Sequence, residues 1–88
     1  MNLNCKRILK DYEEARITST AFIVDFLNAS DRADLDEAME SLTPDLIEQI
    51  REFVETHRPD SRVFRGPPLQ PRALMLAKDV FVGNAKSA

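Results

Sequence analysis

The sequence predicts an all-α domain: a small bundle of four or five short helices, with an extended proline-rich strap over residues 60–71 before the last helix. Apolar residues recur at helical spacing in several stretches, and only two glycines and one tyrosine are present, which argues against a turn-rich sandwich or barrel. Three prolines and a glycine lie within residues 66–71 and exclude a regular helix there. A chain of 88 residues predicts a single domain, 1–83, with a frayed tail over 84–88.

The first predicted helix covers residues 4–15. Its inward side is expected to carry four residues that recur at spacings of three and four: Cys5, Ile8, Leu9 and Tyr12. Two pairs of opposite charge, four residues apart, are expected to form ion pairs on the other side: Arg7 with Asp11, and Lys10 with Glu14. Thr18 and Ser19 then interrupt the pattern, and both are good N-cap residues for the next helix.

The second and third predicted helices are short. The second, 21–27, is apolar at every position except Asp25, and a helix that is apolar nearly all round is buried on several sides. Residues 28–31 predict a turn and a new N-cap. The third helix, 33–41, is acidic, and four residues in and after it are expected to face inward: Leu35, Ala38, Met39 and Leu42.

The fourth helix has the clearest signals in the sequence. Thr43 is an N-cap, Pro44 takes the first helical position, and Asp45 complements the helix dipole. Leu42 and Ile47 flank this cap as a hydrophobic staple. An apolar stripe about 120° wide is predicted to face the core: Leu46, Ile47, Ile50, Phe53, Val54 and His57. The proline at position 59 ends the helix.

The fifth predicted helix begins after Pro71, runs over 72–82, and has Gly83 as its C-cap. An alternative keeps 63–64 and 80–82 as short strands, because both stretches are β-prone. The helix formers that fill most of 72–79 favour the helix.

Charge is divided unevenly along the chain, whose formal net charge is −3. Residues 1–56 contain 6 basic and 13 acidic residues, whereas 57–88 contain 6 basic and 2 acidic ones. The basic part can either lie across the acidic helices or form a docking surface of two signs. The overall acidic balance argues against nucleic acid as the main partner.

The sequence offers no constellation of catalytic or metal-binding residues. Cys5 and His57 are the only cysteine and histidine, and both lie on apolar helix faces with no third group to form a triad. The acidic residues after Asp31 lack the glycine and the closing glutamate of a calcium loop. The third helix is too acidic to be the recognition helix of a DNA reader. We therefore predict a protein that is not an enzyme and has no metal or cofactor.

The proline-rich strap has two interpretations. Arg65, Pro68 and Pro71 fit the spacing of proline-rich ligands that bind aromatic grooves. A structural strap, with Phe64 and neighbouring apolar residues packed on the helices, is the favoured alternative. The candidate partner-binding residues combine this strap with the last helix: Phe64, Arg65, Pro68, Pro71, Leu76 and Val80.

The last helix predicts a homodimer. Eight of the eleven residues in 72–82 are apolar, and 21–27 has the same character. A domain this small has room for one central helix but hardly for two, so the second is expected to be covered by another chain. Leu76 and Val80 are placed near the centre of that interface.

Together these observations predict a non-enzymatic protein-interaction module: a small cytoplasmic adaptor, regulator or oligomer building block. A single cysteine excludes an intrachain disulfide, and no apolar run has the length of a membrane span. The expected partners are a second copy of the chain and another protein, without a membrane. The alternative is a nucleic-acid-binding accessory protein that uses the arginine-rich stretch from Arg58 to Arg72.

Overall fold

Five α-helices and a terminal π-helical segment make up the two described ranges, 1–56 and 69–83, of the computed structural model. The helices are α1 (Leu3–Glu13), α2 (Ser19–Ala29), α3 (Arg32–Ser41), α4 (Pro44–Thr56) and α5 (Pro71–Ala77), followed directly by the π segment (Lys78–Gly83). No strand occurs in these ranges. The predicted all-α class is therefore confirmed. The predicted tail 84–88 and most of the predicted strap lie outside the described residues.

Helix α1 ends in a tight turn at Ala15. Asn2 caps its start, because the Asn2 side chain accepts a hydrogen bond from the backbone N–H of Cys5 at 2.8 Å. At the other end the N–H of Arg16 donates to Asp11 O at 2.8 Å, and the N–H of Ala15 donates to Tyr12 O at 3.0 Å. This pair of bonds is a Schellman motif, and Ala15 takes its left-handed position with φ of 60°. The helix is thus two residues shorter than predicted at its C-terminal end.

Side-chain caps set the starts of the next three helices. The Thr18 side chain accepts from the N–H of Ala21 at 3.1 Å at the start of α2. Asp31 and Asp34 form a reciprocal capping box at the start of α3. The Thr43 side chain accepts from the N–H of Leu46 at 3.3 Å at the start of α4. The N-caps predicted at Thr18 and Thr43 are therefore confirmed.

The last helix begins at Pro71, one residue before the predicted start at 72, and its final part is π-helical. Residues 78–83 follow α5 without a break, so the alternative of a strand over 80–82 is wrong. The segment ends at Gly83, which does not adopt the left-handed backbone of a glycine C-cap. The rival strand at 63–64 lies outside the described residues.

One hydrophobic core joins all of these elements. Helix α1 packs on α2, α5 packs on α2, and the π segment packs on α3, α4 and α5. The largest fully buried side chains are Cys5, Phe22, Val24, Phe26, Leu27, Leu35, Ile50, Val54 and Val80. The stripe predicted on α4 is buried at Leu46, Ile50 and Val54, while Ile47 and Phe53 are partly buried. His57 lies outside the described residues.

The inward side predicted for α3 is wrong at Met39, whose side chain is 38% exposed. Leu35, Ala38 and Leu42 are buried as expected. Asp34 is buried beside them, so the buried stripe is centred closer to Asp34 than to Met39. Hydrogen bonds to the Asp34 carboxylate compensate for its burial. For this reason α3 can turn the side that carries Asp34, and not Met39, towards the core.

The chain itself covers both of the strongly apolar helices. In α2, five residues between Phe22 and Leu27 are buried, and Ala73, Leu74, Ala77, Val80 and Phe81 are buried in α5 and the π segment. The reason given above for a homodimer, that one chain cannot cover two such helices, therefore does not hold for the described residues. In these ranges no helix has the length and apolar character needed to cross a membrane.

Candidate functional site

A groove lies between the second half of α1 and the junction of α3 with α4. Its volume is about 380 Å³, at the lower end of the range for ligand sites. Nine residues line it: Leu9, Tyr12, Glu13, Ser41, Leu42, Thr43, Asp45, Leu46 and Gln49. A wider and more open depression elsewhere is lined by Glu55, Met75, Lys78, Asp79, Val82 and Gly83, whose charges are of both signs. We refer to the first as the acidic groove.

The floor of the acidic groove is apolar and is held in place by its neighbours. Leu42 and Leu46 are buried, and Leu9 and Tyr12 are half-buried. The Tyr12 ring stacks on Phe22 with a centroid distance of 4.7 Å, and its hydroxyl lies 3.4 Å from the hydroxyl of Ser19. The cap at Thr43 begins α4 soon after α3 ends, and the buried Leu42 and Leu46 on either side of this cap both line the groove.

The rim of the acidic groove carries two carboxylates that have no counter-cation among the described residues. Glu13 and Asp45 are exposed, and neither forms an ion pair or a hydrogen bond with a described residue. The described ranges contain 8 basic and 14 acidic residues, so the groove lies on a surface that is acidic as a whole. An apolar floor with this rim suits an apolar group flanked by cations.

The outer face of α1 is the one strongly basic surface of the described helices. Leu3 is 82% exposed at its start, and Lys6, Arg7 and Lys10 are exposed behind it. None of these three cations has a hydrogen bond or ion pair with a described residue. The predicted pairs of Arg7 with Asp11 and Lys10 with Glu14 are therefore not formed; Glu14 pairs with Arg16 at 3.2 Å instead.

A cluster of polar groups ties the start of α1 to α3. The backbone N–H and the side-chain amide of Asn2 donate to Asp34 at 2.9 and 2.8 Å, and the N–H of Asp31 donates to the same carboxylate at 3.0 Å. The amide of Asn2 also donates to Ala29 O at 2.9 Å. Burial alone would raise the pKa of Asp34, but the donors of Asp31 and Asn2 outweigh it and lower the pKa below its ordinary value. The hydrogen bonds of this cluster are made within the chain, and they stabilise the fold by linking the start of α1 to α3.

Cys5 is unsuited to nucleophilic chemistry. Its side chain has no exposed surface, and its sulfur lies 3.2 Å from the Ser30 hydroxyl. Burial raises the pKa of the thiol, so the reactive thiolate is disfavoured. His57, the other half of the pair considered from the sequence, lies outside the described residues. Within the described ranges no group of three or more ligand-type side chains is placed to hold a metal ion.

The structure separates the six predicted partner-binding residues. Phe64, Arg65 and Pro68 lie outside the described residues, and Pro71 is exposed at the first position of α5. Leu76 is half-buried, so part of its side chain is open to a partner. Val80 has no exposed surface and offers nothing for a partner to contact.

Sequence reasoning missed the surfaces that the structure brings together. The sequence predicted only that Leu9 and Tyr12 face the core, yet these residues also form part of the floor of the acidic groove. Met75 was counted among the apolar residues of the last helix, and its side chain is 72% exposed. Single periodic patterns do not reveal these positions, because exposure depends on how the helices cross.

Comparisons of this chain with protein-family models, with curated proteins and with solved structures find no match.

Proposed function

We propose that this protein is a non-enzymatic interaction module of the adaptor or regulator type. Its acidic groove binds a segment of a partner protein that carries an apolar side chain flanked by lysine or arginine. The observation that carries this proposal is a buried apolar floor, Leu42 and Leu46, beside the exposed carboxylates of Glu13 and Asp45, which form no ion pair with a described residue. The inert environment of Cys5 supports a role that is not enzymatic.

The dimensions of the acidic groove support weak, selective binding. Burial of one leucine or phenylalanine side chain contributes about 1.5–3 kcal/mol, and the costs of association offset much of it. The rim carboxylates are exposed, so they add about 1 kcal/mol or less each and mainly speed the encounter with a cationic segment. Such a groove suits a reversible adaptor better than a permanent complex.

We also propose a cytoplasmic location and self-association. The single thiol, fully buried and without a disulfide partner, supports a reducing compartment. The apolar residues of the last helix are mostly covered within the chain, so the burial of this helix is not a reason for self-association. Leu76 and the exposed Met75 are the parts of α5 that remain available to a partner.

An NMR titration tests the groove. Isotope-labelled protein is titrated with a short synthetic peptide that carries one leucine between arginines. We expect amide shifts confined to the groove, around Tyr12, Leu42 and Leu46, and weaker binding by Asp45→Asn. The matched control is Glu52→Gln, which removes an exposed carboxylate of α4 outside the groove and should bind like the unchanged protein.

Two results would overturn this assignment. One is a set of shifts spread evenly over the acidic surface, with both variants weakened equally, because that would indicate general charge attraction. The other is the absence of groove shifts together with binding of single-stranded or duplex oligonucleotides at low salt. That result would favour the nucleic-acid-binding alternative, to which the exposed cations of α1 and Arg72 would contribute.

A further inference from the structure

The exposed cations of α1 lie together on one side of the helix. At 100° per residue, four exposed residues fall within an arc of about 100° on the side away from the buried Cys5: Leu3, Lys6, Arg7 and Lys10. They extend over about 10 Å along the helix axis. No acidic residue occurs between positions 3 and 10. We call these four residues the basic face.

The described helices do not neutralise the basic face, although they neutralise other cations. Arg16, Arg32 and Arg51 each pair with a carboxylate, at distances of 3.2, 2.7 and 2.8 Å. Glu14, four residues after Lys10, is the carboxylate that pairs with Arg16. None of the three cations of the basic face forms an ion pair with a described residue.

The composition of the remaining chain does not supply the missing negative charge either. The chain has 12 basic and 15 acidic residues, and 8 basic and 14 acidic ones lie in the described ranges. The remainder therefore contains 4 basic residues and 1 acidic residue, so its net charge is positive, like that of the basic face. We expect the complementary charge on another molecule.

We propose that the basic face binds an acidic helical segment of a partner protein, which carries carboxylates one helical turn apart and an apolar side chain beside them. Carboxylates three or four residues apart on a helix lie about 5–6 Å from each other. That spacing matches the axial distance of about 4.5–6 Å from Arg7 or Lys6 to Lys10. The apolar side chain of the partner contacts Leu3, which is 82% exposed at the start of the basic face.

The surroundings of the basic face favour a short acidic segment over an extended polyanion. Asp11, Glu13 and Glu14 follow the basic face directly, and the described residues as a whole are acidic. A nucleic acid or a bilayer with anionic lipids extends well beyond the basic face and would also meet these carboxylates, which repel it. A helix of two or three turns can contact the basic face alone.

The basic face adds a second docking surface to the adaptor proposed above. The acidic groove takes a cationic segment, whereas the basic face takes an acidic one, and none of the four residues of the basic face lines the groove. The two surfaces together let one chain hold two partners of opposite charge. The inference about the basic face does not depend on the groove.

An NMR titration with two synthetic peptides tests the basic face. The first is an alanine-based peptide of about 14 residues, which carries one leucine and three glutamates on one side of its helix. In the second peptide the glutamates are glutamines. We expect the glutamate peptide to shift the amide signals of the basic face in isotope-labelled protein, with a Kd that rises as salt is added. The glutamine peptide should give no saturable shifts.

Two double variants with the same change in net charge locate the binding. Arg7→Gln with Lys10→Gln should weaken binding of the glutamate peptide about threefold to tenfold. The matched control, Arg72→Gln with Lys78→Gln, also removes one exposed arginine and one exposed lysine, from α5 and the π segment. It should bind like the unchanged protein. Glutamine is a good helix former, and circular dichroism establishes that both variants keep their helices.

Leu3→Ala separates a defined contact from simple charge attraction. The Leu3 side chain is 82% exposed, so its removal should leave the fold intact. It should weaken binding of the glutamate peptide about twofold to fivefold, because an apolar contact is lost. When the leucine of the peptide is replaced by alanine, the unchanged protein and Leu3→Ala should bind it equally.

Four results would refute the inference. The first is the absence of saturable shifts with the glutamate peptide up to about 1 mM at low salt. The second is equal weakening by the two double variants, which would indicate general charge attraction. The third is tighter binding of a duplex oligonucleotide or of vesicles with anionic lipids, which would assign the basic face to an extended polyanion. The fourth is a shift of the basic face with protein concentration alone, which would assign it to a second copy.

The groove titration gives a separate readout. Substitutions in the basic face leave all the groove residues intact, so these variants should bind the leucine–arginine peptide like the unchanged protein. Failure of that peptide to bind would contradict the proposed function only. Failure of the glutamate peptide would contradict only the inference about the basic face.

Discussion

Ala15 occupies a backbone position that glycine adopts far more easily. Its φ of 60° closes the Schellman motif after α1, and this conformation costs an L-residue about 1–2 kcal/mol relative to glycine. The side chain is exposed, so its removal leaves no cavity. We expect Ala15→Gly to raise the free energy of unfolding by about 0.5–1 kcal/mol, since the flexibility that glycine adds to the unfolded chain offsets part of the gain.

Urea unfolding measures this effect, and Ala33→Gly provides the comparison. Ala33 is also exposed but lies inside α3, where glycine weakens the helix. A lower stability for Ala15→Gly, similar to that of Ala33→Gly, would show that residue 15 does not adopt the left-handed conformation in solution.

Asp34 links stability to pH. Its pKa is lowered in the folded chain, so its contribution to stability is fully present above the ordinary carboxyl pKa and is lost as the pH falls through the lowered value. We expect Asp34→Asn to be less stable by about 1–3 kcal/mol near pH 7, because the N–H donors of Asn2 and Asp31 lose a charged acceptor. The difference should shrink at acidic pH, below the ordinary carboxyl pKa, because this contribution is lost as the native carboxyl protonates.

Urea unfolding at the two pH values tests this linkage. The control, Glu40→Gln, neutralises an exposed carboxylate of α3 that has no partner among the described residues. It should leave the stability at pH 7 nearly unchanged. An Asp34→Asn difference that stays constant between the two pH values would contradict a lowered pKa.

At the scale of the elements, α4 was the most predictable helix because its signals are local. The cap at Thr43, the proline after it and the apolar stripe through Ile50 all depend on residues that are close together in the sequence. The orientation of α3 could not be predicted in the same way. It depends on hydrogen bonds that reach Asp34 from Asn2, 32 residues earlier in the chain, and a buried carboxylate contradicts the usual hydrophobic pattern.

The cap and the stripe of α4 can be tested separately. Thr43→Ala should lower the free energy of unfolding by about 1 kcal/mol, because it removes the acceptor for the N–H of Leu46. Ile50→Ala should cost more, about 2–5 kcal/mol, because the side chain is fully buried and its removal leaves a cavity. Glu52→Ala, an exposed change in the same helix, should stay within about 0.5 kcal/mol. Thermal melts in which the first two changes are silent would contradict this placement of α4.

At the scale of the whole molecule, the sequence predicted the class of fold but not its surfaces. The acidic groove exists because the second half of α1 lies beside the start of α4, and no residue spacing within either helix encodes that neighbourhood. The sequence correctly predicted that the last helix is apolar. The further conclusion, that another chain must cover this helix, was wrong for the described residues. The pairing of the π segment with α3, α4 and α5 supplies that cover.

Substitutions in the last helix can therefore test whether a single chain buries all the apolar residues of its core. Phe81 is 4% exposed in the π segment, and Phe81→Ala should lower the free energy of unfolding by about 3–5 kcal/mol. Met75, on the open side of α5, should tolerate alanine with a change of about 0.5 kcal/mol or less. The midpoint of urea unfolding should also be independent of protein concentration in the micromolar range, because no second chain is needed to bury these residues. A midpoint that rises with concentration, together with a large cost for Met75→Ala, would instead place α5 in the interface of an obligate dimer.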